Sequence, residues 1–184
     1  MTEKNRLLAA FLVSVAGLFA ATAAPADNAR ILQTAVSPDG RWQVELADYA
    51  QPLKFELWTT PVSGGERQKI GGIVPFDNDV SEFLISSDST RVVYRQGRTA
   101  TGDWLLYSTP IYNQSGHRIC QTMTLGGAVE HGIFPVLDGN YVRYRADPYV
   151  DEQYLWFVVP VGGGTILNYL FANGFESGGI EAWQ

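Results

Sequence analysis

Five arginines are the residues best placed to do chemistry: Arg91, Arg95 and Arg98 in one stretch, Arg143 and Arg145 in another. Together they give two segments a local basic face in a chain that is otherwise acidic. A guanidinium presents a rigid fork of donors that matches a carboxylate, so such a face suits an acidic ligand or partner segment. Pairing with the chain's own carboxylates is the competing use. The imidazoles offer less: His117 and His131 lie 14 residues apart, with no His-x-x-x-His or His-Glu pair, so a zinc site would need ligands from distant loops. Two acidic clusters, Asp77-Asn78-Asp79 with Glu82 and Asp147 with Asp151 and Glu152, carry oxygen ligands of the kind calcium takes. Neither has the order of an EF-hand loop, and solvated turns are the simpler reading. No Gly-x-Ser-x-Gly elbow is present, since Gly174-Phe175-Glu176-Ser177-Gly178 has the wrong spacing. Gly162-Gly163-Gly164 and Ser63-Gly64-Gly65 lack the Lys or downstream helix of a phosphate cradle and read as hairpin loops. The residues point to no catalytic, cofactor or metal site, and to binding rather than catalysis.

The elements that position these residues follow a processing signal. Lys4 and Arg6 precede Leu7 to Ala24, in which only Ser14, Gly17 and Thr22 are not Ala, Val, Leu or Phe. This is the pattern of a secretory signal peptide, taken as residues 1–26, with cleavage before Ala24 as the other site and an uncleaved membrane anchor as the alternative. Its removal takes away Glu3, Lys4 and Arg6 and moves the net charge from −6 to −7. A periplasmic or extracellular location is expected. With 13 Lys and Arg against 19 Asp and Glu, no basic stripe exists to neutralise a phosphate backbone, which excludes nucleic acid as a partner. The single Cys120 allows no internal disulfide and reads as a small buried hydrophobe.

Self-comparison reveals an internal repeat of about fifty residues. Ser37-Pro38-Asp39-Gly40-Arg41-Trp42 aligns with Ser86-Ser87-Asp88-Ser89-Thr90-Arg91 and with Val136-Leu137-Asp138-Gly139-Asn140-Tyr141, the Asp positions being separated by 49 and 50. A second anchor repeats with the same drift: Leu57-Trp58 before Pro61, Leu106-Tyr107 before Pro110, and Leu155-Trp156 before Pro160. Each unit reads as four strands. The period-two runs begin at Trp42, Arg91 and Tyr141, and Phe55 to Val62, Trp104 to Ile111 and Tyr154 to Val161 follow as β-branched and aromatic strands. Ile31 to Val36, Ser81 to Ile85 and Gly132 to Val136 precede them, while Gln68 to Ile70, Arg118 to Thr124 and Ile166 to Phe171 close the units. No window after the signal carries a helical stripe. Trp58, Tyr107 and Trp156 align across the repeats and read as packing residues, whereas Trp104 has no evident counterpart and is the aromatic candidate for a partner contact.

The unit Ser-Pro-Asp-Gly-Arg before a strand, then Leu-(Trp/Tyr)-x-x-Pro-Val-x-Gly-Gly, resembles the WD-repeat-like blade of TolB-like β-propellers. It is also similar to the propeller domains of prolyl-oligopeptidase-type peptidases. It is fullest in Ser37 to Arg41 with Leu57 to Glu66; the second copy has Ser87 and Ser89 for Pro and Gly, and the third has Leu137 for Pro. The resemblance implies an all-β fold of three four-stranded antiparallel blades, a partial or open β-propeller, at about residues 30–75, 76–126 and 127–171. Residues 172–184 are expected to form a flexible tail, either a sorting element or the stub of another domain. Propellers typically close with about four to eight blades, so three leave two apolar end faces in water. A truncated relative of a longer propeller, a homodimer completing a six-bladed ring, and an open stack are the three resolutions. The expected function is an exported, non-enzymatic protein-interaction or scaffold module. Its candidate contact residues are Arg91, Arg95, Arg143, Arg145 and Trp104. The rival readings are a metal-assisted hydrolase or lyase built on a propeller, with carboxylates such as Asp77, Asp79 and Asp151, and a fragment of a larger propeller protein.

Overall fold

The computed structural model describes residues 28–72, 78–98, 100–123, 126–137, 139–149 and 153–169. The signal segment and the C-terminal tail read from the sequence lie outside these residues. The first sheet contains β1 (Ile31–Val36), β2 (Trp42–Ala47), β3 (Glu56–Pro61) and β4 (Gln68–Ile70). The second contains β5 (Asp79–Ile85), β6 (Arg91–Gly97), β7 (Leu105–Pro110) and β8 (His117–Arg118). The third contains β9 (Phe134–Val136), β10 (Tyr141–Ala146), β11 (Leu155–Pro160) and β12 (Leu167–Tyr169). Each sheet is an antiparallel meander in chain order. The described residues contain no helix. The fourth strand of the second sheet is two residues long, shorter than the run Arg118 to Thr124 suggests, because the backbone of Ile119 and Cys120 turns inward to bond Leu106 O at 2.9 and 3.4 Å.

Local chemistry explains why the second strands of the first two blades begin where they do. Ser37 Oγ donates to the Asp39 carboxylate at 2.6 Å, that carboxylate accepts the Arg41 amide at 3.0 Å, and Ser37 Oγ accepts the Trp42 amide at 3.0 Å. Gly40 supplies the positive φ of 72° that tightens the turn. Ser86, Asp88, Thr90 and Arg91 reproduce the network, but Ser89 occupies the left-handed position with φ 61°. These bonds hold the Asp39 and Asp88 carboxyls below their ordinary range. At the far end of the second strand, Asp48 and Asp147 accept the amides of Arg30 and Ala128 at 2.6 and 2.5 Å, stapling each first strand to its neighbour. The equivalent position in the second sheet is Gly97, which lies against the backbone of Asp103 and Trp104.

The sheets pack face to face through two apolar clusters. Val44, Leu46, Leu57 and Ile70 of the first meet Val80, Phe83, Val92, Tyr94 and Ile111 of the second. Val93, Leu106, Ile119 and Cys120 of the second meet Val129, Ile133, Val142, Tyr144, Phe157 and Val159 of the third. The middle sheet is therefore covered on both faces: Val92 and Tyr94 point one way, Val93 the other, and all three are buried. Burying each such side chain contributes about 1.5–3 kcal/mol, which makes these clusters the main cohesion between blades.

Polar latches join the same faces. The Gln33 side chain donates to Phe83 O at 2.8 Å and accepts from Phe83 N at 3.1 Å. One repeat on, the Glu82 carboxylate accepts the amides of Gly132 at 2.9 Å and Ile133 at 3.3 Å. Tyr94 adds a hydrogen bond from its hydroxyl to Gly71 O of the preceding blade.

Candidate functional site

The candidate residues divide between two places. Strand pairing sets Val93, Arg95 and Leu106 on the face of the second blade that meets the third, and Arg143, Arg145 and Trp156 at the corresponding positions of the third blade, on its outer face. Arg95 is buried: its Nε donates to Val129 O at 2.7 Å, Nη1 donates to Ser81 Oγ at 3.0 Å, and its guanidinium lies 4.3 Å above the Trp104 ring. Burial pushes this group down to about 10, an effect that the nearby Glu82 carboxylate opposes. Arg91 donates from Nε to Ser108 Oγ at 2.8 Å, and Ser108 in turn donates to Val161 O of the third blade at 2.5 Å. Both arginines and Trp104 thus belong to the joint between the second and third blades. Trp104 also has counterparts: Phe55 and Tyr154 each immediately precede the third strand of their blade, and Tyr154 lies 5.3 Å beneath Arg145 as Trp104 lies beneath Arg95.

Arg143 and Arg145 have a different setting. The Arg143 guanidinium sits 4.6 Å from the Trp156 ring and 5.4 Å from Phe134, and its Nε is buried without a hydrogen-bond partner. Among the described residues no carboxylate pairs with it. Arg145 makes an ion pair with Glu130 at 2.9 Å and lies 5.6 Å from Trp156. The result is a ladder of cations interleaved with aromatic rings, a surface that offers a carboxylate both donors and a rigid apolar shelf.

Trp156 belongs to this ladder, which corrects its sequence alignment with Trp58 and Tyr107. Tyr94 pairs with Tyr107, Tyr144 with Phe157 and Glu45 with Trp58, so Phe157 is the true counterpart, and it stacks on Tyr144 with centroids 5.4 Å apart. Aligning on Pro61, Pro110 and Pro160 recovers this register, because each proline ends the third strand of its blade. Aligning on the Leu-aromatic pair slips it by one residue, and a one-residue slip moves a side chain to the other face. Phe134, Tyr154 and Glu130 join this surface through strand pairing and packing that link residues distant in sequence.

The outer faces also differ from the expectation that an open stack exposes two apolar ends. On the first blade, Glu45 takes the position of Tyr94 and Tyr144, and accepts from the Gln43 amide at 3.0 Å and the Tyr49 hydroxyl at 3.1 Å while pairing with Arg67 at 3.5 Å. Arg67 lies 3.7 Å above the Tyr49 ring, which stands edge-on to Trp58, and Lys69 pairs with Glu56 at 2.5 Å. Charged side chains thus replace apolar ones at both ends, as the pairs Glu45–Arg67 and Glu56–Lys69 at the first blade and as Arg143 with the pair Arg145–Glu130 at the third. Terminal repeats of stacked proteins use polar outer faces in this way.

The remaining candidates have identifiable partners. Asp79 accepts the Phe55 amide at 3.1 Å, Glu82 and Asp147 serve as the latch and staple already described, and His117 Nε2 lies 3.2 Å from Gly162 O. Asp77, Asp138, Asp151 and Glu152 lie outside the described residues. Among the described residues no group of three or more His, Cys, Asp or Glu is arranged to hold a metal ion. Cys120 is buried, and that burial pushes its thiol up.

No family model matches this sequence, and no curated protein matches it. Solved structures do. The β-propeller domain of the Trilobed protease from Pyrococcus furiosus, described as having an open Velcro topology, is 9% identical and superposes with a TM-score of 0.53 over 76% of this chain and 41% of its own. Prolyl oligopeptidase B from Galerina marginata is 12% identical with a TM-score of 0.51, covering 74% of this chain and 21% of its own. A putative TolB from Agrobacterium tumefaciens is 18% identical with a TM-score of 0.48, covering 73% and 44%. The chain spans less than half the length of each of these structures. The repeated turn and strand pattern, the three meander sheets and the likeness to protease propellers agree on one fold, and the described residues are built as three consecutive four-stranded β-propeller blades.

Proposed function

We propose that this protein is an exported, non-enzymatic interaction module of the periplasm or extracellular space, and that the outer face of the third blade is its contact surface. One observation carries the reading. Arg143 stands where the second blade has the buried Val93, and its guanidinium lies over Trp156 and Phe134 with a buried Nε that no described residue satisfies. A guanidinium held against aromatic rings offers its terminal Nη donors to a carboxylate of a bound protein segment. Flanking rings provide apolar area at little cost in side-chain entropy, as in the anchors of protein interfaces. The signal pattern supports export, and the propeller fold supports a binding role no more strongly than it supports others.

Capture of partners from periplasmic and culture extracts tests the reading, with the Arg143→Glu variant as the comparison. The expected outcome is a captured partner that the variant loses, while its β spectrum and unfolding midpoint match those of the parent. Equal capture by both proteins removes the third blade's outer face as the contact surface. Stoichiometric metal in the purified protein overturns the non-enzymatic reading in favour of metal-assisted chemistry.

A further inference from the structure

The two outer faces keep apolar residues at positions that are buried inside the stack. Ile31 and Val62 of the first blade are 49% and 53% exposed, whereas their counterparts in the second blade, Val80 and Ile111, are 2% and 1% exposed against the preceding blade. On the third blade Phe134 is 44% exposed, although Ala35 and Leu84 at the same place in the other blades pack into the clusters that join them to the next blade. A face that serves only as a solvent cap has no use for these residues. Of the charged residues between them, Glu45 on the first blade is buried and paired with Arg67, and Arg145 on the third is paired with Glu130, which leaves Arg143 without a carboxylate among the described residues.

Resting on the reading of the third blade's outer face as a contact surface, we propose that its occupant is the first blade of a second copy of this chain. Repeating the packing seen between consecutive blades brings Glu45 and Gln43 of one copy opposite Arg143 and Trp156 of the other, because Val92 and Tyr94 of the second blade meet Val44 and Leu57 of the first in that way. It also covers Ile31, Val62 and Phe134. The same joint forms twice about a two-fold axis, and two sets of three blades make six, within the range of about four to eight at which such rings close; one set or three sets fall outside it. Gly132 occupies the place of the latches Gln33 and Glu82, so the new joint depends on the cation-aromatic ladder rather than on a latch.

Light scattering on the purified protein across a concentration series tests this proposal. The expected mass is that of two chains. Arg143→Glu on the third blade and Val62→Asp on the first should each reduce it to one chain with the β spectrum unchanged. Arg118→Glu, an exposed charge on β8, should leave it at two. Val62 is exposed, so its variant keeps the test informative if Arg143→Glu fails to fold. A single-chain mass at every concentration overturns the proposal, as does a two-chain mass indifferent to both variants. A single-chain parent that still captures another protein through Arg143 refutes self-pairing and leaves the proposed function standing.

Discussion

Glu82→Ala should destabilise the protein by opening the joint between the second and third blades. The Glu82 carboxylate accepts Gly132 N at 2.9 and 3.2 Å and Ile133 N at 3.3 Å, so its loss strands two amides at the joint between the second and third blades. Each stranded donor costs about 1–3 kcal/mol, and partial rehydration of the partly buried site brings the sum to about 2–4 kcal/mol. The same substitution removes a carboxylate that favours the buried Arg95 guanidinium, which adds to the loss. Glu82→Gln keeps one acceptor, and Gln33 performs the equivalent task in the first blade with an amide, so this variant should lose only about 1 kcal/mol. Urea unfolding with linear extrapolation measures both, and an unchanged slope would confirm that the folded and unfolded states expose the same surface difference. A Glu82→Ala loss below about 0.5 kcal/mol would refute the assignment of this residue as an inter-blade latch, since surface substitutions produce effects of that size.

Tyr94→Phe removes the hydroxyl bonded to Gly71 O and should cost about 1 kcal/mol, whereas Tyr144→Phe should be nearly neutral because the Tyr144 hydroxyl is buried without a full hydrogen bond; paired urea titrations compare them. Gly97→Ala would place a methyl 2.6 Å from Trp104 Cα and against the Asp103 backbone, so a loss of more than about 3 kcal/mol, or failure to yield folded protein, is expected by circular dichroism. Stability should fall as pH rises above about 10, because burial raises Tyr94, Tyr107 and Tyr144 in the folded state and the unfolded chain gives up phenolic protons first. Arg95 works in the opposite sense from about 10 upward and only softens the decline, which thermal melts across alkaline pH would record. On the acid side, Asp39, Asp48 and Asp88 are held low, so the stability they contribute persists above the ordinary carboxylate range and disappears as pH drops through their lowered values.

The strand framework was legible because its causes are local. Alternation marks β2 and β10, the Ser-x-Asp turn announces β2 and β6, and prolines end β3, β7 and β11, so the predicted strands agree with the observed ones to within a few residues except at β8, the end of the last run lying outside the described residues. The contact surface was less legible. Arg143 and Arg145 stand out in the sequence no more than Arg91, Arg95 and Trp104 do, and those three lie inside a joint.

Three units, their turns and their strand order follow from consecutive residues, because a period of two and a tight turn are local properties. Which face of each strand meets a neighbour depends on the packing of whole blades. Val92 and Val93 are both fully buried because the middle blade has a sheet on either side, while Arg95 and Arg145 occupy the same place in successive blades with opposite fates. What differs between those two arginines is the blade stacked upon them. Arg95 has the third blade above it and is a structural donor, whereas Arg145 and Arg143 have none in the chain's described residues and form the surface on which the proposed function rests.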